Sequence, residues 1–308
     1  MRKLSGALSL CVGAGLLVAA APANEVLIPA EKVAPESLTV TAKGDLIVGS
    51  NYDGTVWRAK RGEAKAHVWL DPAKTGMKSL LGVFADDAHQ RLFVCSRPSR
   101  FGAPPPADGK GSDAHIFDLR TGAAIATYPM PDGIKDVCND FAVARDGTAY
   151  IAETAKGAIY RIRPGAAAID TWLVDPRLAG ADGIAFDTDG KLYVTSVTTA
   201  RAFRVGIAAD GSAAGLTELT TSRPLKHPDG LRNIGAGRFL IAENSPEGGV
   251  VLATLKGDAL DIRTLTGGRP GTTSAVARDG RAWAVVANAA APEGQPASPT
   301  VIYSLPLD

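Results

Sequence analysis

Residues 182–196, DGIAFDTDGKLYVTS, contain the pattern that decides the fold of this 308-residue chain. A short apolar strand leads into an Asp-Gly turn, which is followed by a second strand rich in β-branched and aromatic residues. This order is typical of a β-hairpin, in which Gly supplies the positive φ of the turn. Five more segments align with it without gaps, and they begin at Glu36, Gly82, Asn139, Asp229 and Thr272. The turn Gly recurs in all of them except the second, where Gln90 replaces it.

The segments recur at intervals of 46, 57, 43, 47 and 43 residues. Each interval leaves room for two further strands, such as residues 54–59 and 64–70 in the first unit. Beyond residue 23, no apolar stretch with helical periodicity is longer than two turns. The sequence therefore predicts an all-β protein, a six-bladed β-propeller with four antiparallel strands per blade.

The two ends of the chain complement each other. The sixth unit has only three strands, the last of them within residues 300–305, and residues 25–33 supply a strand that belongs to no unit. Pairing this N-terminal strand into the last blade would close the ring and cover an exposed sheet edge. We expect residues 24–308 to form a single propeller domain.

Residues 1–23 have the features of a secretory signal peptide. Arg2 and Lys3 precede an apolar stretch, and Ala21-Pro22-Ala23 fits the small-residue rule for cleavage. A membrane anchor is the alternative, although the stretch is short for a transmembrane span. We expect a periplasmic or secreted protein.

The remaining composition limits the partners. Without residues 1–23 the chain has 31 basic and 32 acidic residues, a balance that does not favour nucleic acid or an anionic membrane surface. We expect a monomer that acts on a small-molecule substrate. Cys95 and Cys138 remain, and either a disulfide or two free thiols is compatible with their positions.

The first residues of the six segments are candidates for a site. In a propeller the first strand of each blade lines the central channel, so Glu36, Asn139, Asp182 and Asp229 are expected at one channel mouth, together with Gly82 and Thr272. Two second strands end at Glu153 and Glu243, which would add carboxylates nearby. Clustered carboxylates repel each other and favour a bound cation, here a hard one because every donor is an oxygen. The cation could be catalytic or could tie the blades together, and Asp182 and Asp229 could instead be ordinary turn formers.

Four motifs, in blade order along the chain, resemble the regucalcin/gluconolactonase family of six-bladed propellers. They are Pro35-Glu36-Ser37, Asn139-Asp140, Ala181-Asp182-Gly183 and Pro228-Asp229-Gly230. The resemblance implies that Glu36, Asp182 and Asp229 bind a divalent cation and that Asn139 lies near the substrate. Ca²⁺ is favoured, with Mg²⁺, Mn²⁺ and Zn²⁺ as alternatives. The chain departs from the family at Asp182, where Asn is usual, and at Val137, where sugar lactonases carry Arg.

The resemblance also implies a reaction, the hydrolysis of a lactone or related ester. The cation would polarise the carbonyl, and Asp229 is the expected base that activates water. Glu153 and Glu243 are expected to orient the water or the substrate. A Pro/Gly-rich insertion, residues 97–113, is either a plain surface loop or a lid that brings Arg100 to the substrate. The alternative function is a non-catalytic propeller that binds a small ligand or partner protein, with a structural metal.

Several other enzyme classes are disfavoured. The chain contains no G-x-S-x-G, no G-x-x-x-x-G-K-[ST] and no H-E-x-x-H motif. Serine-hydrolase, nucleotide-dependent and zinc-protease chemistry are therefore poor candidates.

Overall fold

The computed structural model describes residues 24–99, 102–287 and 300–308. These residues form six antiparallel sheets arranged as a six-bladed β-propeller, as predicted. Blade one contains β2 (Pro35–Val40), β3 (Leu46–Ser50), β4 (Val56–Ala59) and β5 (His67–Leu70). Blade two contains β6 (Ser79–Asp86), β7 (Arg91–Arg97), β8 (Asp113–Asp118) and β9 (Ala124–Pro129). Blade three contains β10 (Cys138–Val143), β11 (Ala149–Glu153), β12 (Ala158–Ile162) and β13 (Asp170–Val174).

The other three blades follow the same order from the channel outward. Blade four contains β14 (Ala181–Phe186), β15 (Leu192–Ser196), β16 (Arg201–Ile207) and β17 (Ala213–Glu218). Blade five has an extra outer strand, β18 (Thr220–Thr221), beside β19 (Pro228–Gly235), β20 (Arg238–Glu243), β21 (Gly249–Lys256) and β22 (Ala259–Thr266). Blade six contains β23 (Thr272–Arg278), β24 (Arg281–Val286), β25 (Thr300–Pro306) and β1 (Glu25–Ile28).

Helix is nearly absent from the described residues. They include the short helix α1 (Pro72–Thr75) and two 3₁₀ turns, at Gly133–Lys135 and Pro176–Leu178. None of the helices found there has the length and apolarity needed to cross a membrane. Residues 1–23 lie outside the described part, so the signal peptide stays a prediction.

The ring closes as the sequence predicts. β1 is the outermost strand of blade six and pairs with β25, with Glu25 opposite Tyr303 and Ile28 opposite Thr300. The last blade is therefore built from both ends of the described chain. This arrangement gives β25 a hydrogen-bonded neighbour on each side.

The core lies between the faces of neighbouring blades. Aromatic pairs join adjacent blades at several of these interfaces, for example Phe93 with Phe141 at 5.5 Å and Tyr193 with Phe239 at 5.1 Å between ring centroids. Because each sheet is buried on both faces by its neighbours, the first strands are held at fixed positions around the channel.

A β-bulge at the mouth end of every first strand selects the residue that faces the site. In β2, Glu36 and Ser37 together oppose Gly49, since the pairs on either side are Pro35 with Ser50 and Leu38 with Val48. An extra residue of this kind bends the strand and re-aims its side chains. We call the first bulge residues of the six blades the mouth ring: Glu36, Leu81, Asn139, Asp182, Asp229 and Thr273.

The mouth ring corrects two predicted members. The ungapped alignment placed Gly82 and Thr272 in the ring, whereas strand pairing places Leu81 and Thr273 there. The reason is hairpin length, which is one residue longer in blade two and one shorter in blade six. At the longer hairpin, Gln90 has φ 55°, so it adopts the left-handed conformation that Gly provides in the other turns.

A disulfide joins blades two and three at the mouth side of the ring. Cys95 on β7 is bonded to Cys138 on β10, with 5.4 Å between the Cα atoms. Of the two alternatives left open by the sequence, the structure has the bridged one. Cys138 precedes Asn139, so the bond anchors the opening of blade three beside the mouth ring.

Candidate metal centre

Three carboxylates from three blades meet at the channel mouth. Glu36 on β2, Asp182 on β14 and Asp229 on β19 each offer an oxygen, and these atoms all lie within 4.8 Å of one another. Both aspartates are 6% exposed, and Glu36 is partly exposed. We call this group the acidic cluster. It unites the three residues that the sequence predicts as metal ligands.

The electrostatics of the acidic cluster are unfavourable without a counter-charge. Burial is the main cause that raises the pKa of Glu36, Asp182 and Asp229 well above the ordinary carboxyl range. Mutual repulsion adds to this effect, because Asp182 acts on Glu36, Asp229 on Asp182 and Glu36 on Asp229. A bound cation would relieve both causes and favour the ionised carboxylates.

The donors in the acidic cluster fit a hard cation. Glu36 Oε2 is enclosed and has no hydrogen-bond partner among the described residues. The three cluster donors are carboxylate oxygens, with no imidazole or thiolate in the group. Such donors suit Ca²⁺ or Mg²⁺ better than Zn²⁺, which favours nitrogen and sulfur ligands.

Polar amides and a hydroxyl support the acidic cluster. Asn139 Nδ2 donates to Asp182 Oδ2 at 3.0 Å and to Thr154 Oγ1 at 2.9 Å, and Thr154 Oγ1 donates to the carbonyl oxygen of Ala181 at 2.8 Å. Asn139 therefore contacts a cluster carboxylate directly, and its amide nitrogen is already used.

Asp229 is held from two sides. Asn244 Nδ2 donates to Asp229 Oδ2 and the Gly230 amide donates to Asp229 Oδ1, both at 3.0 Å. Sequence reasoning missed Thr154 and Asn244. Each is the first residue after a second strand, which is the position signal that would have found them.

Glu153 and Glu243 bind other groups of the protein, which the sequence did not indicate. Glu153 is fully buried and accepts hydrogen bonds from the backbone amides of Val137, Ala155 and Lys156, at 2.7–2.9 Å. Glu243 accepts from the Arg223 guanidinium at 2.9 and 3.0 Å and from the Lys226 amide at 3.0 Å.

The role of these two glutamates in substrate binding stays a prediction. The two glutamates hold the connections that lead into blades three and five, and neither belongs to the acidic cluster. Arg100, the other expected substrate contact, lies outside the described residues.

A buried arginine crosses the channel beside the acidic cluster, and no sequence motif predicted it. Arg232 on β19 forms an ion pair with Asp140 on β10, with Nη2 3.0 Å from Oδ1. The same Nη2 donates to Ser37 Oγ at 3.1 Å and to the carbonyl oxygen of Val83 at 3.3 Å. One guanidinium from blade five thus binds groups from blades one, two and three.

Comparisons with known proteins identify the fold. No family model and no curated protein sequence matches the chain. Among solved structures, a gluconolactonase from Xanthomonas campestris is 17% identical, covers 89% of this chain and 87% of its own, and gives a TM-score of 0.65. The chain has the fold of this propeller.

Other solved structures of similar fold are named as enzymes of different classes. A PQQ-bound aldose sugar dehydrogenase from Streptomyces coelicolor is 14% identical over 92% of this chain and 99% of its own, with a TM-score of 0.60. A virginiamycin B lyase from Staphylococcus aureus is 14% identical over 91% and 98%, with a TM-score of 0.57. Since one fold serves a lactonase, a dehydrogenase and a lyase, only the residues of the site can indicate the chemistry here.

Proposed function

We propose that this protein hydrolyses a lactone or a related ester with the help of a divalent cation bound by Glu36, Asp182 and Asp229. One observation carries the proposal: two buried aspartates and one partly exposed glutamate, from three separate blades, have oxygens within 4.8 Å of one another at the channel mouth. When bound, the cation supplies Lewis-acid polarisation of a carbonyl oxygen. Ca²⁺ is the favoured ion, because the cluster donors are all carboxylate oxygens.

Asp229 is our candidate for the general base. Its two oxygens are held in one orientation by Asn244 and by the Gly230 amide, and a base must be oriented to take a proton from water. It would accept that proton on a carboxylate oxygen at the mouth. Asn139 would keep Asp182 in place and offer its carbonyl oxygen to the ligand space.

The departure at Val137 bears on the substrate rather than on the cation. Val137 contributes its backbone amide to Glu153, and its side chain has no charge with which to bind a sugar acid or hydroxyl. We therefore expect activity on lactones that do not depend on an arginine at this position.

Metal reconstitution with a panel of lactones tests the proposal. The protein is stripped with a chelator, resupplied singly with Ca²⁺, Mg²⁺, Mn²⁺ or Zn²⁺, and assayed for ring opening by proton release. We expect activity to depend on the cation and to fall about 10²–10⁴-fold in Asp229→Asn, the usual range for loss of a general base.

Asp187→Asn is the matched control, because Asp187 is a buried aspartate of blade four that binds turn amides at the far end of the blade. It should retain activity. Cation binding without hydrolysis of any lactone or ester would instead support the ligand-binding propeller, and no cation binding at all would remove the basis of the proposal.

We also propose that the protein is exported. The disulfide between Cys95 and Cys138 supports this, since structural disulfides persist mainly in oxidising compartments. Mass spectrometry of the protein recovered from a periplasmic extract or culture medium, with a new N-terminus near residue 24, would test it. Recovery of the full-length chain from the cytoplasm alone would contradict it.

A further inference from the structure

The partners of Arg232 adjoin the residues of the candidate site. Ser37 directly follows Glu36, Asp140 directly follows Asn139, and Arg232 lies on the same strand as Asp229. In blades one and three the bonded residue occupies the second position of the bulge whose first position belongs to the mouth ring. In these two blades the guanidinium thus binds the residue that directly follows a mouth-ring residue in the sequence.

The fourth blade is connected through Asn139. Its amide binds Asp182 of blade four, while the neighbouring Asp140 binds Arg232. Arg232 of blade five therefore bonds directly to residues at the openings of blades one and three, and the peptide link between Asp140 and Asn139 extends this connection to Asp182 of blade four. The side chains of Arg232 and Asp140 are 8% and 4% exposed, so these bonds form away from bulk water, where they are strong.

We propose that Arg232 is a positioning residue that fixes the spacing of the acidic cluster before any cation binds. This inference rests on the cation site of the proposed function. In this proposal Arg232, rather than the cation, holds the blades together at the channel mouth. The cation is then free for ligand chemistry, because the ring does not need it as a clamp.

Whether cation affinity rises or falls when Arg232 is replaced distinguishes a positioning role from a purely electrostatic effect. Arg232 carries a positive charge near a site for a cation, so removing only the charge would strengthen cation binding. Removing a group that orients the ligands has the opposite effect, and loss of such outer-shell partners typically weakens metal affinity 10–100-fold. Arg232→Gln therefore gives opposite results under the two explanations.

The variants are chosen to keep the result interpretable. Arg232→Gln leaves Asp140 buried and unpaired, which can destabilise the fold. The double variant Arg232→Gln/Asp140→Asn removes both charges and leaves the net charge of the channel unchanged. Arg278→Gln is the matched control: Arg278 is a buried arginine of the first strand of blade six, stacked on Trp283 at 3.8 Å and bonded to the Gly44 carbonyl, at the end of the strand away from the mouth.

The test is a calcium titration by calorimetry of the chelator-treated protein at fixed pH, with circular dichroism and thermal unfolding of each variant. We expect Arg232→Gln and the double variant to bind Ca²⁺ about 10–100-fold more weakly than wild type. Arg278→Gln should bind with unchanged affinity. Tighter binding by Arg232→Gln, or wild-type affinity in the double variant, would overturn the proposal.

A measurement on the wild type keeps the inference testable if the variants do not fold. Without its cation the wild-type protein should still unfold in one cooperative transition, because Arg232 holds the blades together. Loss of that transition on chelation would refute the assignment. If wild type binds none of the four cations, the proposed function fails as well, whereas a normal wild-type titration with unaffected Arg232 variants refutes only the role of Arg232.

Discussion

At the scale of single residues, the bulge in each first strand provides the same backbone position six times with different side chains. Glu36, Asp182 and Asp229 occupy it in blades one, four and five, but Leu81 and Thr273 occupy it in blades two and six. The backbone therefore creates the position, and residue type decides whether a carboxylate faces the channel mouth there. The second bulge position restricts the size of the side chain, because there the first strands of adjacent blades come into contact.

Gly82 shows this restriction most clearly. A Cβ at Gly82 would lie 2.2 Å from the Asn139 carbonyl oxygen and 2.7 Å from the Asp140 Cα, both backbone atoms of β10. We expect Gly82→Ala to push blades two and three apart and to lower the free energy of unfolding by about 3 kcal/mol, as other overpacked interiors do. Urea unfolding of the variant and of the wild type measures this difference in free energy.

Gly267→Ala is the control, since its Cβ would meet only the Glu247 carbonyl oxygen, at 3.8 Å. It should change stability little. Equal stability of the two variants would show that β6 and β10 are less tightly apposed than described.

At the scale of elements, the blades are joined by more than apolar packing. The disulfide links β7 to β10 and closes a loop with a sequence separation of 43. Together with the hydrogen bond that Glu153 accepts from the Val137 amide in the connection before β10, it fixes the opening of blade three. Asn139 and Asp140 start from this fixed opening and reach the acidic cluster and Arg232.

Removing the disulfide should therefore cost stability. A loop of this length predicts a loss of about 4 kcal/mol from the chain-entropy model, and measured losses for native bridges are about 2–5 kcal/mol. We expect the double variant Cys95→Ser/Cys138→Ser to unfold at lower urea than the oxidised wild type. Addition of a reductant should lower wild-type stability to a similar value and leave the variant unchanged; a variant as stable as oxidised wild type would contradict this.

At the scale of the whole molecule, stability depends on a closed ring. Val26 and Ile28 on β1 are buried in the same apolar cluster as Trp283 and Ile302 of blade six and Trp57 of blade one. Loss of β1 would open that cluster and expose the edge of β25.

Deleting residues 24–28 should lower the unfolding temperature and promote association through the free strand edge. Thermal unfolding and size-exclusion chromatography measure both effects against the undeleted chain. Unchanged unfolding temperature together with a monodisperse elution profile would mean that the pairing of β1 with β25 contributes little.

The sequence was sufficient for the ring because its signals are local and repeated. Hairpin turns, strand spacing and the leftover terminal strands predict six blades, and the acids at three openings predict the members of the acidic cluster. The prediction that Gly82 and Thr272 belong to the mouth ring was wrong. Hairpins of unequal length shift the register by one residue without altering the sequence pattern. The partners of Glu153 and Glu243 could not be predicted, because the pattern does not show which backbone amides or side chains a carboxylate will meet.

Arg232 could not be predicted for a related reason. Its partners Asp140 and Ser37 are 92 and 195 residues away in sequence. Only closure of the ring brings these residues together, and no local motif marks an arginine as crossing the channel.

The pairing of β1 with β25 also imposes an order in time. During synthesis β1 emerges first among the described strands, yet its partner is made only near residue 300. The early blades can stack as they appear, but blade six must wait until β25 (Thr300–Pro306) is made. Until then β1 has only its backbone hydrogen bonds between Leu27 and residues 64–66, so the ring can close only after β25 has been made.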